Sequence, residues 1–381
     1  MKIGVPRESA TGEKRVALIP DAVAKLVDSK LTVLIESSAG EASGHPDDQY
    51  VDAGAQISDP AAVWSSDVVL TVAPPSVDQI GLLGAGKVLV GHLAPLTALE
   101  STNALADAGT TSFAVEAIPR ITRAQPMDAL SSQANVAGYA AALLAAREVG
   151  RFFPMLTTAA GTVAPARVLV LGAGVAGLQA IATAKRLGAI VTGFDIRRAA
   201  WEQIGSLGGR ALELDFIPDA EGEGGYARPL TEEENDAVRD ALAKAAARQD
   251  VIITTAQIPG RPAPKLITAA AVEAMKPGSV IVDLAGDSGG NCELTQSGET
   301  VDAGGVSIIS PVNLPSEMAT HASQLYSKNL ESFLGLILDD DGGLVLDFED
   351  EIVAAACLTH DGEIRMERAR ELAGLAPAEP S

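Results

Sequence analysis

Short apolar segments alternate with amphipathic ones along the N-terminal third of the chain. The apolar segments are rich in Val, Ile and Leu and end at Gly, Pro or Asp, a pattern typical of buried β-strands. They lie at Lys2–Val5, Thr32–Glu36, Val68–Val72, Val88–Gly91 and Thr111–Ala114. The segments between them predict helices at Pro20–Ser29, Gln49–Ala53, Ala61–Ser65, Val77–Leu83 and Ala98–Ala108. Strands that alternate with helices predict a parallel sheet covered by helices.

A second alternation follows a long helix that the Ala- and Leu-rich sequence predicts over Ser132–Arg151. Its strands are predicted at Val168–Leu171, Ile190–Phe194, Arg210–Glu213, Val251–Thr254, Val280–Leu284 and Ser307–Ile309. Its helices are predicted at Gly177–Leu187, Arg198–Leu207, Thr231–Arg248 and Thr268–Met275. A second parallel sheet is therefore expected.

The C-terminal region of the chain begins with a predicted helix over Ser316–Leu338. Two predicted strands, Leu344–Phe348 and Ile352–Leu358, follow it, and Asp361-Gly362 is a hairpin turn signal. Because this helix brings no new sheet with it, we expect it to pack on the first domain.

The first predicted strand of the second alternation runs directly into Gly172, Gly174 and Gly177, which gives strand, G-x-G-x-x-G and helix in order. In that motif the first glycine allows a tight turn, the second lets the backbone approach a pyrophosphate, and the third allows close packing of helix on strand. The helix N-terminus then presents N–H groups and a positive dipole end to the phosphates. The pattern indicates a dinucleotide-binding domain.

The next strand ends at Asp195. An acid at this place accepts a hydrogen bond from the adenosine ribose 2′-hydroxyl and repels a 2′-phosphate, which favours NAD over NADP. Arg197 and Arg198 follow at once, and an arginine there can accept a 2′-phosphate.

These signals together predict an α/β protein with two Rossmann-like domains, each a parallel sheet flanked by helices, and a cleft between them. The first domain is expected to comprise residues 1–125 plus 313–381 and the second residues 126–312.

Composition and charge narrow the classes of function. The chain has 28 Lys plus Arg against 50 Asp plus Glu, a net charge of −22 that argues against a nucleic-acid binder and disfavours an anionic membrane surface. The two cysteines, Cys292 and Cys357, are too few for a disulfide framework and are not spaced as a metal site. No apolar run suits a membrane span of about 20 residues. We therefore expect a cytoplasmic protein without a bound metal.

Two polar stretches remain. Pro119–Asn135 is dense in hydrogen-bonding side chains and lies at the junction of the predicted domains. It fits either a binding site in a cleft or a linker in which Ser131 or Ser132 caps the next helix. Pro218–Pro229 is Gly-rich and acidic, and it fits either a mobile functional loop or a plain surface loop.

The segment Arg120–Tyr139, RITRAQPMDALSSQANVAGY, resembles the signature of the NAD(H)-binding component of proton-translocating NAD(P) transhydrogenase. The similarity covers nearly the whole chain and extends through Thr158–Ala189, Gly224–Ala227, Thr254–Thr268, Met275–Ala285 and Gly289–Thr295.

This resemblance implies a module that binds NAD(H) and exchanges hydride directly with NADP(H) on a partner subunit. It also implies a homodimer that membrane-spanning subunits hold at the inner face of the cell membrane. Hydride exchange between two nicotinamides releases no proton, so the site needs residues that position the rings and does not need a general base.

The resemblance further implies which residues contact the nucleotide. Around the nicotinamide and its ribose it places Arg120, Ile121, Thr122, Arg123, Gln125, Asp128 and Ser131, of which Arg120, Gln125, Asp128 and Ser131 would position the ring for transfer. At the pyrophosphate it places Gly172, Gly174, Val175 and Ala176. At the adenosine end it places Asp195, Ile196, Arg197 and Gln257, and in a loop that closes on the nucleotide Gly225 and Tyr226. Gln257 departs from the apolar residue usual in the family.

Alanine dehydrogenase is a rival interpretation because it shares several of these motifs. Arg15, His92 and Asp287 match its pattern, and His92 and Asp287 each also fit a purely structural role. Thr71 stands where that enzyme carries a lysine, which would weaken binding of a 2-oxo acid. A non-catalytic NAD(H) sensor is a third interpretation.

Overall fold

The structure, a computed structural model, describes residues 1–214, 228, 230–258, 260–339 and 341–376. The chain divides into two compact units, Met1–Gln133 with Pro315–Ser381 and Ala134–Leu314. Each unit has its own central sheet. The predicted cleft between the domains stays a prediction.

Strands and helices are numbered in chain order over the described residues. The strands are β1 Lys2–Val5, β2 Thr32–Glu36, β3 Gln56–Ser58, β4 Val68–Leu70, β5 Val88–Gly91, β6 Thr111–Ala114, β7 Leu156–Thr158, β8 Gly161–Val163, β9 Arg167–Leu171, β10 Ile190–Phe194, β11 Arg210–Ala211, β12 Val251–Thr254, β13 Val280–Asp283, β14 Thr300–Ala303, β15 Val306–Ile309, β16 Cys357–His360 and β17 Glu363–Ile364. The α-helices are α1 Pro20–Asp28, α2 Asp47–Asp52, α3 Pro60–Trp64, α4 Val77–Leu83, α5 Leu99–Asp107, α6 Ala129–Glu148, α7 Val175–Arg186, α8 Ala199–Ser206, α9 Glu232–Ala246, α10 Ala269–Glu273, α11 Ala319–Ile337, α12 Glu351–Ala356 and α13 Glu367–Leu372.

The sheet of the first unit has the strand order β17-β16-β6-β5-β4-β1-β2-β3. Strands β1 to β6 are parallel. Strand β16 pairs antiparallel with β6, and β17 pairs antiparallel with β16 at the edge of the sheet. Helix α11 packs on its core with Tyr326, Leu330, Phe333 and Ile337, which share one helical face and are fully buried. The helix predicted after Pro315 therefore belongs to the core of the first unit.

The sheet of the second unit has the order β11-β10-β9-β12-β13-β15-β14, parallel except for β14. In this sheet β9 lies between β10 and β12, so the strand order reverses at β9. In open parallel sheets, ligands bind beyond the carboxyl ends of the strands at such a reversal. The glycine motif follows β9 directly.

Two of the predicted C-terminal strands are wrong. Most of the segment predicted as a strand over Ile352–Leu358 is helix α12, because the Asp350 carboxylate accepts hydrogen bonds from the backbone N–H groups of Ile352 and Val353 and begins a helix there. Only its last residues join β16. In the other segment, Leu344 forms a single isolated bridge to Leu338.

The turn at Asp361-Gly362 is confirmed. Both residues have positive φ, 48° and 80°, as a two-residue hairpin turn requires. The hairpin lies at the edge of the first unit's own sheet, beside β6. A second hairpin, β7–β8, was not predicted, and all six of its strand residues are exposed.

No helix within the described ranges is both long and apolar enough to cross a bilayer. The same residues contain no cluster of three or more His, Cys, Asp or Glu side chains that could hold a metal ion.

Candidate dinucleotide site

The glycine-rich turn joins the end of β9 to the start of α7, and its backbone geometry requires glycine at two positions. Gly172 has φ +92°, and a Cβ there would lie 2.8 Å from Thr255 Oγ1. A Cβ on Gly177 would lie 1.9 Å from the carbonyl oxygen of Gly172. The first and third glycines therefore have the steric roles predicted from their spacing.

The first turn of α7 faces open space. Gly174 is exposed, and a Cβ there would meet no atom within 4 Å. As the N-cap residue it has no side chain to accept from the first N–H groups of the helix, and Val175 beside it is also exposed. A helix N-terminus with this exposure attracts an anion through its N–H groups and its dipole. The start of α7 can thus offer backbone donors to an anion.

Asp195 lies directly after β10 and reaches back to the glycine-rich turn. Its Oδ2 accepts the backbone N–H of Ala173 at 2.8 Å, and its Oδ1 accepts the backbone N–H of Arg197 at 2.9 Å. The Arg197 guanidinium binds the same carboxylate through Nε at 2.9 Å and Nη2 at 2.8 Å. The structure therefore brings together the pyrophosphate turn and the two charged residues predicted at the adenosine end, with half-buried Ile196 between them.

The loop after β12 supports the turn from the other side. Thr255 Oγ1 donates to the carbonyl oxygen of Gly172 at 3.1 Å. Asn291 holds the next residue, because its Oδ1 accepts the N–H of Ala256 at 3.0 Å and its Nδ2 donates to the carbonyl oxygen of Ala256 at 2.8 Å. Gln257 is exposed and donates to the carbonyl oxygen of Leu284 at 2.9 Å.

A buried carboxylate lies beneath this loop. Asp283, at the end of β13, is fully buried and accepts five hydrogen bonds. Two of the donors are the backbone N–H groups of Asn291 and Cys292, at 2.7 and 3.0 Å. Asp283 therefore fixes the segment from which Asn291 reaches the loop.

Helix α6 also contacts the turn region. A Cβ on Gly138 would lie 2.0 Å from the carbonyl oxygen of Ala176, so only glycine lets α6 approach the first turn of α7 this closely. Ala176 itself is half-buried.

The residues predicted around the nicotinamide lie in the first unit. Arg120, Thr122 and Gln125 are exposed polar residues, and Thr122–Met127 forms a short 3-10 helix. Ile121 packs against the core of the first unit. This segment thus presents polar side chains to its surroundings from an anchored backbone.

Asp128, and neither Ser131 nor Ser132, begins α6. Its Oδ1 accepts the backbone N–H of Ser131 at 2.8 Å, which corrects the predicted serine cap. Ser132 Oγ instead donates to Asn329 Oδ1 at 2.7 Å, and Asn329 Nδ2 donates to the carbonyl oxygen of Pro126 at 2.8 Å.

Arg123 anchors the same segment to the start of α12. Its guanidinium donates to both carboxylate oxygens of Asp350, at 2.6 and 3.0 Å. These hydrogen bonds lower the pKa of Asp350 to about 2. The other two residues predicted at the site, Gly225 and Tyr226, lie outside the described residues, as does most of Pro218–Pro229.

Comparison with known proteins decides the family. The N-terminal domain of the alanine dehydrogenase/PNT family matches residues 4–137, and its C-terminal domain matches residues 141–367. The chain belongs to the alanine dehydrogenase/PNT family.

Similarity within this family is greater to transhydrogenases than to alanine dehydrogenase. The first part of NAD(P) transhydrogenase subunit alpha from Rhodospirillum rubrum is 48% identical over 374 residues, which cover 96% of this chain and 97% of that protein. The crystal structure of transhydrogenase from Sinorhizobium meliloti has a TM-score of 0.88 at 44% identity and covers 96% of this chain and 100% of that one. An L-alanine dehydrogenase structure has a TM-score of 0.81 at 27% identity and covers 98% and 99%. The predicted resemblance and the Rossmann-like α/β class are confirmed.

Two of the residues that match the alanine dehydrogenase pattern, Arg15 and His92, are held by neighbours within the first unit. Arg15 is buried and pairs with Glu13 at 2.6 Å and with Gln133 Oε1 at 2.9 Å. Burial acts to raise the pKa of Glu13, but the hydrogen bonds and charge of Arg15 lower it to about 2. His92 stacks on Tyr326, with ring centroids 5.2 Å apart.

Thr71 and Asp287, the remaining positions of that comparison, belong to different units. Thr71 is buried in the first unit, and its Oγ1 has no hydrogen-bond partner among the described atoms. Asp287 lies in the second unit and accepts from Ser297 Oγ at 2.7 Å in an exposed hydrogen bond.

Sequence reasoning missed four residues of the turn region, Gly138, Thr255, Asp283 and Asn291. All four lie in segments that resemble the transhydrogenase family, yet no spacing rule assigned them a role. Their contacts join strands and loops that are far apart in the sequence, so only the folded sheet reveals them.

Proposed function

We propose that this protein binds NAD(H) at the glycine-rich turn of its second unit and exchanges hydride with NADP(H) held by a partner subunit. The observation that carries the proposal is the exposed N-terminus of α7 beside Asp195, at the reversal of strand order in the second sheet. The 48% identity to the NAD(P) transhydrogenase alpha subunit of Rhodospirillum rubrum supports the same assignment.

The residues of the chain act by binding and orientation. Gly172, Gly174 and the first N–H groups of α7 receive the pyrophosphate, with Val175 and Ala176 beside it. The nicotinamide supplies the hydride, which passes between carbon atoms without release of a proton. A site of this kind needs fixed polar contacts and exclusion of water more than it needs an acid or a base.

We propose that Arg120, Gln125, Asp128 and Ser131 provide those contacts for the nicotinamide. Asp128 and Ser131 are joined by the hydrogen bond that begins α6, so this part of the segment has a fixed backbone. Arg120 and Gln125 are exposed at the other end of the segment. The fixed part orients the segment, and the exposed side chains contact the ring.

The decisive experiment mixes the purified chain with an NADP(H)-binding partner subunit, NADPH and an NAD analogue whose reduced form absorbs at its own wavelength. We expect reduction of the analogue only when both proteins are present, and we expect NADH to bind the chain alone. Failure of NADH to bind would overturn the proposal.

The same preparation tests the rival functions. With pyruvate and ammonia but no partner we expect no oxidation of NADH, because Thr71 supplies no cation for a 2-oxo acid. Robust turnover in that mixture would identify an amino-acid dehydrogenase. Binding of NADH without exchange at any partner concentration would identify a sensor.

We further propose that the protein is a homodimer whose copies meet at the β7–β8 hairpin. Leu156 and Val163 on its strands are 37% and 48% exposed, and Met155 beside them is 64% exposed. Among the described strands, β7 and β8 pair only with each other, and an isolated two-stranded hairpin of this kind is marginal without a surface to pack on. A second copy would supply that surface.

Light scattering on the eluting protein tests this interface. We expect Val163→Asp to convert dimer to monomer, whereas Val345→Asp, an equally exposed apolar position in the first unit, should leave the dimer intact. A dimeric Val163→Asp protein would place the interface elsewhere.

We also propose that membrane-spanning partner subunits hold the protein at the inner face of the cell membrane, so it should sediment with membranes only when they are present.

A further inference from the structure

The acid at the adenosine end of the site is engaged by the arginine two residues later. Asp195 and Arg197 form a two-point ion pair, with Nε 2.9 Å from Oδ1 and Nη2 2.8 Å from Oδ2. Nη2 also reaches the carbonyl oxygen of Ala173 at 3.4 Å. The Arg197 side chain is 21% exposed and that of Asp195 only 7%. The carboxylate is therefore covered, and the arginine is the more accessible member of the pair.

We propose that Asp195 excludes a 2′-phosphate chiefly by holding Arg197, which makes Arg197 a latent ligand for a ribose 2′-phosphate. The ligand class is a dinucleotide with a phosphate monoester on its adenosine ribose. This inference rests on the proposed function, because it concerns the same site.

The charge of the pair argues against direct repulsion as the main effect. A carboxylate repels a phosphate only if its charge is not compensated, and the guanidinium in contact with Asp195 compensates it at hydrogen-bonding distance. A phosphate monoester carries about −1.5 to −2 charges near neutral pH, and arginine binds phosphate through two parallel hydrogen bonds. Removal of the carboxylate charge would therefore make the position of the 2′-phosphate more positive.

The contacts of Asp195 also indicate which substitution isolates this effect. Asp195 Oδ2 accepts the N–H of Ala173 in the glycine-rich turn. Asparagine keeps one oxygen for that hydrogen bond, whereas its amide N–H₂ cannot accept from Nε or from the backbone N–H of Arg197, which both donate to Oδ1 of the acid. Asp195→Asn should therefore loosen the hold on the Arg197 guanidinium and keep the hydrogen bond to the glycine-rich turn.

A second arginine provides a matched control. Arg198 is exposed, and its guanidinium lies 5.7 Å from the centre of the Trp201 ring. Trp201 Nε1 in turn donates to the carbonyl oxygen of Asp195 at 2.9 Å. Arg198 is thus a second cation close to the same loop, so its replacement tests whether any nearby positive charge gives the effect.

The experiment measures the dissociation constants of NADH and NADPH by nucleotide fluorescence for five proteins. These are the wild type, Asp195→Asn, Arg197→Gln, Asp195→Asn/Arg197→Gln and Asp195→Asn/Arg198→Gln. We expect the wild type to prefer NADH and Asp195→Asn to bind NADPH roughly ten- to a hundredfold more tightly than the wild type does. That gain should disappear with Arg197→Gln in the double variant and persist with Arg198→Gln.

Three results would overturn the inference while NADH binding by the wild type stays intact. The first is an Asp195→Asn protein with no gain in NADPH affinity. The second is a gain that survives Arg197→Gln, which would show direct repulsion by the acid. The third is a gain that requires Arg198. A wild-type protein that binds neither nucleotide would instead overturn the proposed function and the inference with it.

Discussion

Asp283→Asn should destabilise the second unit more than an ordinary surface substitution can. Asp283 is fully buried, and its two oxygens accept five hydrogen bonds. Oδ2 accepts from Thr295 Oγ1 and the N–H groups of Asn291 and Cys292, and Oδ1 accepts from Thr254 Oγ1 and the N–H of Ala285. The hydroxyl donors can rotate and accept from an amide, but the backbone N–H groups cannot.

The loss of stability in Asp283→Asn is set by whichever of the two orientations of the new side-chain amide leaves fewer donors unpaired. With its N–H₂ group on the Oδ1 side, the new residue leaves only the N–H of Ala285 without an acceptor, whereas the opposite orientation leaves two backbone N–H groups unpaired. A buried unsatisfied donor costs about 1–3 kcal/mol, and the remaining hydrogen bonds lose the contribution of a charged acceptor. We expect the free energy of unfolding to fall by about 2–4 kcal/mol.

Urea unfolding followed by tryptophan fluorescence measures this change in the second unit. The chain has two tryptophans, Trp64 in the first unit and Trp201 in the second, so a Trp64→Phe background leaves Trp201 as the reporter. The matched control is Asp287→Asn, whose carboxylate accepts an exposed hydrogen bond from Ser297 and lies outside the buried network of Asp283. Its effect should stay within about 0.5 kcal/mol. Equal midpoints for the two variants would refute the assignment of Asp283 as the anchor of this loop.

Three further outcomes are expected. Gly177→Ala should weaken NADH binding tenfold or more, about 1.4 kcal/mol, because its Cβ would lie 1.9 Å from the Gly172 carbonyl oxygen. The control is Gly205→Ala, whose Cβ meets no atom within 4 Å and which should bind NADH normally in the same fluorescence titration. Gln125→Asn should slow hydride exchange in single-turnover kinetics with little change in NADH affinity, and an unaltered rate would remove Gln125 from the positioning set. Burial raises the pKa of Glu8 from 4.5 to about 8, so the folded state keeps a proton that the unfolded state releases and stability should fall as pH rises through this range. Melting curves of Glu8→Gln should show a flatter pH dependence, and an unchanged slope would contradict the burial effect.

The parallel strands were predictable because burial on both faces selects continuous apolar runs. Strands β1, β2, β5, β6, β10 and β12 have the bounds predicted from the sequence. The prediction fails at Ile352–Ala356, where β-branched residues favour a strand but the Asp350 cap begins a helix and buries one of its faces. A run of apolar residues does not show whether a capping hydrogen bond will form or which face of the segment will be packed in the folded protein.

In the candidate site, too, some features could be predicted from the sequence and others could not. The steric roles of Gly172 and Gly177 could be predicted because they depend on a turn of a few residues. The supports of that turn could not, because Thr255 reaches Gly172 across 83 positions and Asn291 reaches Ala256 across 35. The resemblance to a family marked these segments as related without a physical role for either side chain.

The two sheets show why only one of them is the candidate nucleotide site. Both reverse their strand order at the first strand of the alternation, β1 in one and β9 in the other, so topology alone would favour a ligand at each. After β9 the helix α7 begins within a few residues, and its exposed N-terminus leaves backbone donors for an anion. After β1 the next helix, α1, begins only at Pro20.

The intervening segment of the first unit instead supplies a hydrogen-bond acceptor of its own. The half-buried Glu8 side chain accepts the backbone N–H groups of Val72 and Ala73, directly after β4 at the point where that sheet reverses. Donors that a phosphate would need are thus used within the protein, and the pocket beside them, lined by Glu8, Thr71 and Trp64, is too small for a nucleotide. Equal topology therefore gives a candidate site at one reversal and not at the other, because a ligand site at a strand reversal also requires backbone donors that no side chain of the protein already satisfies.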